Sequence, residues 1–309
     1  MIDSRASRAT ASISARVLAV LLPYRRAADP AEAPDHPEQL FQIEQFVRAG
    51  EPIVFTLPGF PCKSTNPAKV LGPLPDESER LSLRFLDRLC ARVAEVYPPG
   101  ARLVICAEGH VFGDLIGVSD AHIDAYVEEL RAIVRRERLT RLTTFDLREV
   151  YGDLPYAGKR ALVDAVYAPS TESLWAQARA DADTLRLYRG IARSLAEDAR
   201  AVAFPGPRSA LRRAHRDRAY GVLRRSRAWC DLIADHHPRS VRLSVHPQRS
   251  GAAKFGIRLL DADDVWATPW HSAALRSADG GWRLMRRVDA ERLGRLVLRH
   301  GRPSHFEAR

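Results

Sequence analysis

The chain has 309 residues, 46% of them apolar, and a formal charge of +10, so it can bury a full core without disulfides or a structural metal. The four cysteines, Cys62, Cys90, Cys106 and Cys230, have no paired spacing, which argues against a zinc cluster or disulfide framework and fits a reduced, cytoplasmic protein. No apolar run approaches a membrane span, and the arginines are spread over most segments with few aromatics between them, which speaks against a nucleic-acid surface.

Residues 4–26 are rich in Arg, Ser and Ala and lack acids, as transit peptides do. Their apolar set, Ile13, Val17, Leu18, Val20, Leu21 and Leu22, equally suits a first helix over about 4–22, packed on the domain. A second helix is expected over residues 40–49, closed by Gly50 and Pro52. The run Ile53-Val54-Phe55-Thr56-Leu57 then reads as a buried strand. It leads into a long segment stiffened by prolines and glycines, residues 59–76. Connections of that length are uncommon in a scaffold and are commonly functional.

Asp76 with Glu79 has the spacing of a capping box, followed by a helical stripe of Phe85, Leu89, Val93 and Val96. Leu103-Val104-Ile105-Cys106 is a second strand, running into a glycine-punctuated loop over residues 107–114. Ser119 can cap the next helix, with stripe Ile123, Val127, Leu130 and Val134, and a third strand is expected around residues 142–147. This alternation predicts an α/β fold with a largely parallel sheet and flanking helices. The loops leaving the carboxyl ends of its strands would share one crevice. Neither a dinucleotide fingerprint nor a P-loop is present, so ATP and NAD chemistry are unsupported.

Residues 160–203 read as helical, with a break at residues 204–207 and a further helix over 209–235. In Val241-Arg242-Leu243-Ser244-Val245-His246 the alternation puts a cation, a hydroxyl and an imidazole on one strand face. Residues 254–260 predict another strand, Thr268-Pro269-Trp270-His271 a tight turn presenting a second imidazole, and residues 289–299 a closing helix.

Among 48 basic residues only Lys63, Lys69, Lys159 and Lys254 are lysines. Where nearly every cation is Arg, a surviving Lys marks a place suited to a compact ammonium rather than a flat guanidinium. That reading is applied to Lys63 and Lys69 in the central segment; Lys159 is read as a chance survivor.

The segment Phe60-Pro61-x-Lys63-Ser64-x-Asn66-x-x-Lys69-Val70-Leu71-Gly72-Pro73-Leu74-Pro75-Asp76 resembles the signature of the isonitrile (isocyanide) synthase family of pyoverdine/dityrosine biosynthesis type. Further blocks resemble that family in order, among them Val111-Phe112-x-Asp114, Gly117-Val118-Ser119-Asp120, Arg242-Leu243-Ser244-Val245-His246-Pro247, Lys254-Phe255 and Thr268-Pro269-Trp270-His271. Glu108-Gly109-His110 departs from the family's usual Asp-Gly-Arg. The resemblance implies a Rossmann-like core with extra C-terminal strands, and one synthase domain over residues 1–309 without a fused dioxygenase domain. It also implies joining the amino nitrogen of an L-amino acid, tyrosine or tryptophan, to ribulose 5-phosphate, whose carbonyl carbon becomes the isonitrile carbon. No metal or organic cofactor is implied, and a separate iron/2-oxoglutarate dioxygenase would act downstream.

From these two lines of reading, Lys63, His246 and His271 are the expected catalytic residues. Ser64, Asn66, Lys69, Asp114, Arg242, Ser244 and Lys254 are the expected substrate contacts. The alternatives are another ketose-phosphate enzyme and, from the charge alone, a basic nucleic-acid-binding module.

Overall fold

The computed structural model describes residues 2–199, 208–262 and 267–309. The chain opens with α1 (Ile2–Leu21) and α2 (Pro37–Ala49), the latter ended by Gly50 in the left-handed conformation that glycine adopts without strain. β1 (Ile53–Gly59) follows, and then the central segment. α3 (Glu77–Val96) begins at the expected capping box: Asp76 accepts from the Ser78 N–H and Glu79 reaches back to the Asp76 N–H. β2 (Ala101–Ala107) pairs with β1 in parallel along its full length, from Ile53 opposite Ala101 to Gly59 opposite Ala107.

Residues 109–114, expected as loop, instead open a short helix, α4 (Gly109–Ile116), kinked at Phe112. Burial of Val111 and Phe112 in the second apolar cluster draws this stretch out of the loop. α5 (Asp120–Arg136) starts on Ser119, whose side chain accepts from the His122 N–H, as expected. β3 (Leu142–Phe145) pairs with β2 and leads into α6 (Leu147–Tyr151). The helical run expected from residue 160 is broken into α7 (Tyr156–Val166), α8 (Thr171–Ala180) and α9 (Ala182–Ala199). The expected break at residues 204–207 lies outside the described residues. α10 (Arg208–His236) then leads to β4 (Val241–Ser244) and the two-residue β5 (Phe255–Gly256). β5 is shorter than the strand expected over 254–260, because at Ile257 the chain turns to bridge Arg25 in the opposite sense.

Among the described residues these five strands form one parallel sheet in the order β3-β2-β1-β4-β5. The chain moves outward from β1 to β3, then returns to the other side of β1 as β4. The order therefore reverses between β1 and β4, and a crevice opens beyond their carboxyl ends. One face of the sheet packs Phe55, Leu57, Leu103 and Ile105 against α1, α2, α3 and α5; on the other, Val104 and Cys106 meet Trp229, Leu232 and Ile233 of α10.

A second sheet closes the chain: β6 (Ala273–Arg276), β7 (Trp282–Met285), then a short α11 (Arg287–Leu293), β8 (Gly294–Arg299) and β9 (Arg302–Ala308), in the order β7-β6-β9-β8. The closing helix expected over 289–299 is thus half helix and half strand. Pairing of Gly294–Arg299 with β9 supplies backbone partners that a helix would otherwise have to provide. No helix among the described residues is long and apolar enough to cross a membrane.

Candidate active site

β1 ends at Gly59, and the next residue, Phe60, takes a φ of 51°, a left-handed turn that costs an L side chain about 1–2 kcal/mol. Burial of the Phe60 ring against Trp270, centroids 5.2 Å apart, holds it there. Gly59 is needed beside it: a Cβ would stand 3.1 Å from the Trp270 ring and 3.7 Å from Val245. The roots of the central segment, the Trp270 turn and the β4 exit therefore lie against one another.

Lys63 is not at the crevice surface. It is 1% exposed, and its Nζ lies 2.9 Å from Asp76 Oδ2 and 2.9 Å from Glu79 Oε2. It also donates to the Pro269 carbonyl at 3.0 Å and reaches that of Ser272 at 3.4 Å. Burial works against its charge, but the two carboxylates outweigh it and hold the Lys63 pKa above the ordinary lysine value. One ammonium cannot neutralise two buried carboxylates, and burial pushes Glu79 up to about 7 despite it. The residue expected as catalytic thus has every donor engaged within the protein, pinning the central segment to the cap of α3 and to the Pro269–His271 turn.

The rest of the segment is held by its own polar groups. Ser64 Oγ accepts from the Asn66 N–H, Asn66 Oδ1 from the Ala68 N–H, and the Trp270 carbonyl from the Ser64 N–H. Asn66 Nδ2 donates to the Glu197 carbonyl, and Lys69 Nζ sits 2.7 Å from Asp198 and 3.1 Å from Glu197. At its other end α9 is tied by Asp183 to Arg249 at 2.5 Å and by the Thr184 hydroxyl to Arg227. α9 therefore spans from the loop after β4 to the loop after β1. His271, half-buried below this contact, shares a proton position with Thr268 Oγ1 at 3.2 Å; burial pushes its pKa down to about 4, with Asp198 opposing and Lys69 and Lys63 reinforcing the fall.

At the exit of β4, Ser244 is buried and its hydroxyl oxygen accepts from the His246 N–H and from Gln248. It thereby shapes the turn at the strand end. His246 lies past the strand end. Its side chain is exposed to solvent, yet surrounding protein pushes its pKa down to about 4, with Arg26 and Lys254 adding to the fall. Arg242, beside Thr56 of β1, is half-buried and makes no hydrogen bond or ion pair among the described residues. Lys254 Nζ is 2.8 Å from Cys230 Sγ of α10 and lies within electrostatic reach of both His246 and Glu108.

Glu108, at the exit of β2, was missed as a site residue. Its carboxylate makes no hydrogen bond or ion pair among the described residues, and burial pushes its pKa up to about 7 while Lys254 pulls it down. The only sequence signal was its place in the Glu108-Gly109-His110 block. Asp114 belongs to an ion network with α10 and α7, 2.6 Å from Arg225 and 3.7 Å from Arg160. Lys159 is 2% exposed, its ammonium 4.6 Å from the Tyr156 ring centroid. Among the described residues no group of three or more His, Cys, Asp and Glu side chains is arranged to hold a metal ion.

Comparison with known proteins places this geometry. Residues 43–297 match the family model described as pyoverdine/dityrosine biosynthesis protein. The chain is 41% identical to an L-tyrosine isonitrile synthase of Pseudomonas aeruginosa, over 96% of this chain and 94% of that one. It is 38% identical to the L-tryptophan isonitrile synthase AmbI2 of Fischerella ambigua, over 86% and 81% of the two chains. The crystal structure of the PvcA protein from Pseudomonas aeruginosa superposes with a TM-score of 0.89 at 43% identity, covering 96% of this chain and all of that one. With the parallel sheet, the reversed strand order and the signature loop in place, the chain belongs to the pyoverdine/dityrosine biosynthesis family, that of the isonitrile synthases.

Proposed function

We propose that this protein, acting as one catalytic domain, converts the amino group of an aromatic L-amino acid to an isonitrile, with ribulose 5-phosphate as the carbon donor. The observation that carries the reading is a cation beside an imidazole at the exits of β4 and β5: Lys254, which has no carboxylate within ion-pair distance among the described residues, acts on His246, whose imidazole is held neutral. The reaction brings two anions, an amino-acid carboxylate and a sugar phosphate, and cations not already paired are what such anions need. Neutral imidazoles can accept protons as the sugar skeleton is cleaved, and an arriving anion offsets the charges that depress them. The names of the relatives, L-tyrosine and L-tryptophan isonitrile synthases, support an aromatic amino acid.

Incubating the purified protein with ribulose 5-phosphate and each of a panel of L-amino acids, followed by mass spectrometry, should yield a 2-isocyano acid from tyrosine or tryptophan. Carbon-13 at the ketose carbonyl should appear in the isonitrile carbon. Product formed equally well with other ketose phosphates, or none without an added protein partner, would overturn the reading.

A further inference from the structure

Resting on that reading, we propose that Glu108 is the acid–base group that carries the proton during condensation of the amine with the ketose carbonyl. The carboxylate stands at the carboxyl end of β2, next to the central segment: the Cα of its neighbour Gly109 comes so close to Pro61 that a Cβ there would lie 2.1 Å from the Pro61 carbonyl oxygen. Its position before α4 would ordinarily make it a helix cap. It does not act as one: its backbone is already helical, and its side chain accepts no hydrogen bond from the first turn. Nor is it a partner in the ion pairs that employ the other buried acids, such as Asp76, Glu79 and Asp146. What remains is a half-buried carboxylate with no structural task, turned toward the same cation, Lys254, that faces His246.

The chemistry needs such a group. An amino acid arrives as its ammonium, which cannot attack a carbonyl. Transfer of one proton to the Glu108 carboxylate gives the neutral amine and the carboxylic acid. The amine nitrogen then bonds to the ketose carbonyl carbon, giving a carbinolamine. Glu108 returns its proton to the carbinolamine hydroxyl, the carbon–oxygen bond breaks, and water leaves with the iminium ion formed. Overall, ammonium plus ketone gives iminium plus water, and Glu108 ends as it began. A base works best with a pKa near the working pH, and burial sets Glu108 to about 7, whereas His246 and His271 at about 4 bind a proton too weakly to draw it from an ammonium. The titratable groups facing Glu108 are Lys254, which favours the carboxylate, and the Cys106 thiol on its own strand; Cys230 lies beyond them on α10.

The test is the pH dependence of turnover with ribulose 5-phosphate and the best amino acid of the panel. Because the carboxylate form is required, wild-type kcat/KM should rise with pH through about 7. Glu108→Gln should lower kcat by about 10²–10³-fold and abolish that rise. Glu108→Asp should keep it, and Lys254→Met should move it to higher pH, since Lys254 is what pulls the Glu108 pKa down. Glu108→Gln with wild-type kcat, a change confined to KM, or a rise near pH 7 that persists without the carboxyl would overturn the proposal while leaving the synthase reading intact. A wild-type protein that makes no product with any amino acid would instead sink the synthase reading itself. Should Glu108→Gln fail to fold, as judged by its thermal melt, a rise left unmoved by Lys254→Met would still decide against Glu108.

Discussion

Lys63→Met should destabilise the fold by about 3–5 kcal/mol in urea unfolding, because it strands two carboxylates in a sealed site. Against a total stability of about 5–15 kcal/mol that is a large fraction, and it comes from a residue with a buried side chain of no catalytic geometry. The deficit has a pH signature. Lys63 holds the Glu79 pKa down against burial, so removing it raises that pKa further above 7. A carboxyl whose folded pKa is raised stabilises the fold at low pH and loses that contribution as pH climbs through the folded value. The gap to wild type should therefore shrink from about pH 8 to about pH 5, where Glu79 carries its proton in both proteins. Lys63→Arg keeps the charge but not the compact shape that reaches Asp76, Glu79 and the Pro269 carbonyl together, and it should recover only part of the loss. Equal stability of wild type and Lys63→Met would show that the buried acids are protonated and need no partner.

Gly109→Ala should cost about 10²-fold in turnover, with substrate specificity unchanged. A Cβ at this position would fall 2.1 Å from the Pro61 carbonyl oxygen and 2.6 Å from Ile123 Cγ2, so the central segment and the Glu108 turn would have to part by roughly 1 Å. The side chains of the crevice are borne on those two loops and on the exits of β4 and β5; moving one pair against the other misplaces them without deleting any. Gly221→Ala is the control: its Cβ would meet only the flexible end of the Leu115 side chain, at 3.1 Å, and no backbone atom. Turnover of Gly109→Ala matching that of Gly221→Ala would show that the approach of the two loops is not what sets the site.

Much of this was legible before any coordinates. The buried strand at residues 53–57, the caps at Asp76 and Ser119, and the strand that ends near His246 follow from local rules, and the structure obeys them. The fate of Lys63 was not legible, for a physical reason. Asp76 and Glu79 were accounted for as a capping box, and they do form one, but each carboxylate has a second oxygen or lone pair free. Those spare acceptors bind Lys63. Spacing along the chain reveals the first use of a side chain and hides the second. The closing strand failed similarly: Leu293, Leu296, Val297 and Leu298 fit either period, and only pairing with β9 decides. Glu108 was hidden because what distinguishes it is the partner it lacks.

The scarcity and burial of lysine also determine how the native protein meets amine-directed reagents. Lys63, Lys159 and Lys69 are 1%, 2% and 5% exposed, which leaves Lys254 as the one lysine side chain that solvent reaches. A brief treatment with an acylating reagent should therefore mark Lys254 well ahead of the other three. The mark is easy to read, since trypsin cuts after Arg249 and Arg258 and isolates Lys254 in one short peptide. Loss of the mark when ribulose 5-phosphate or inorganic phosphate is added would report occupancy of the crevice without any turnover. Labelling that is indifferent to both would place Lys254 apart from the bound anion. A chain that carries nearly all its positive charge as arginine thus holds, in its one solvent-reached lysine, a built-in reporter for its own ligand.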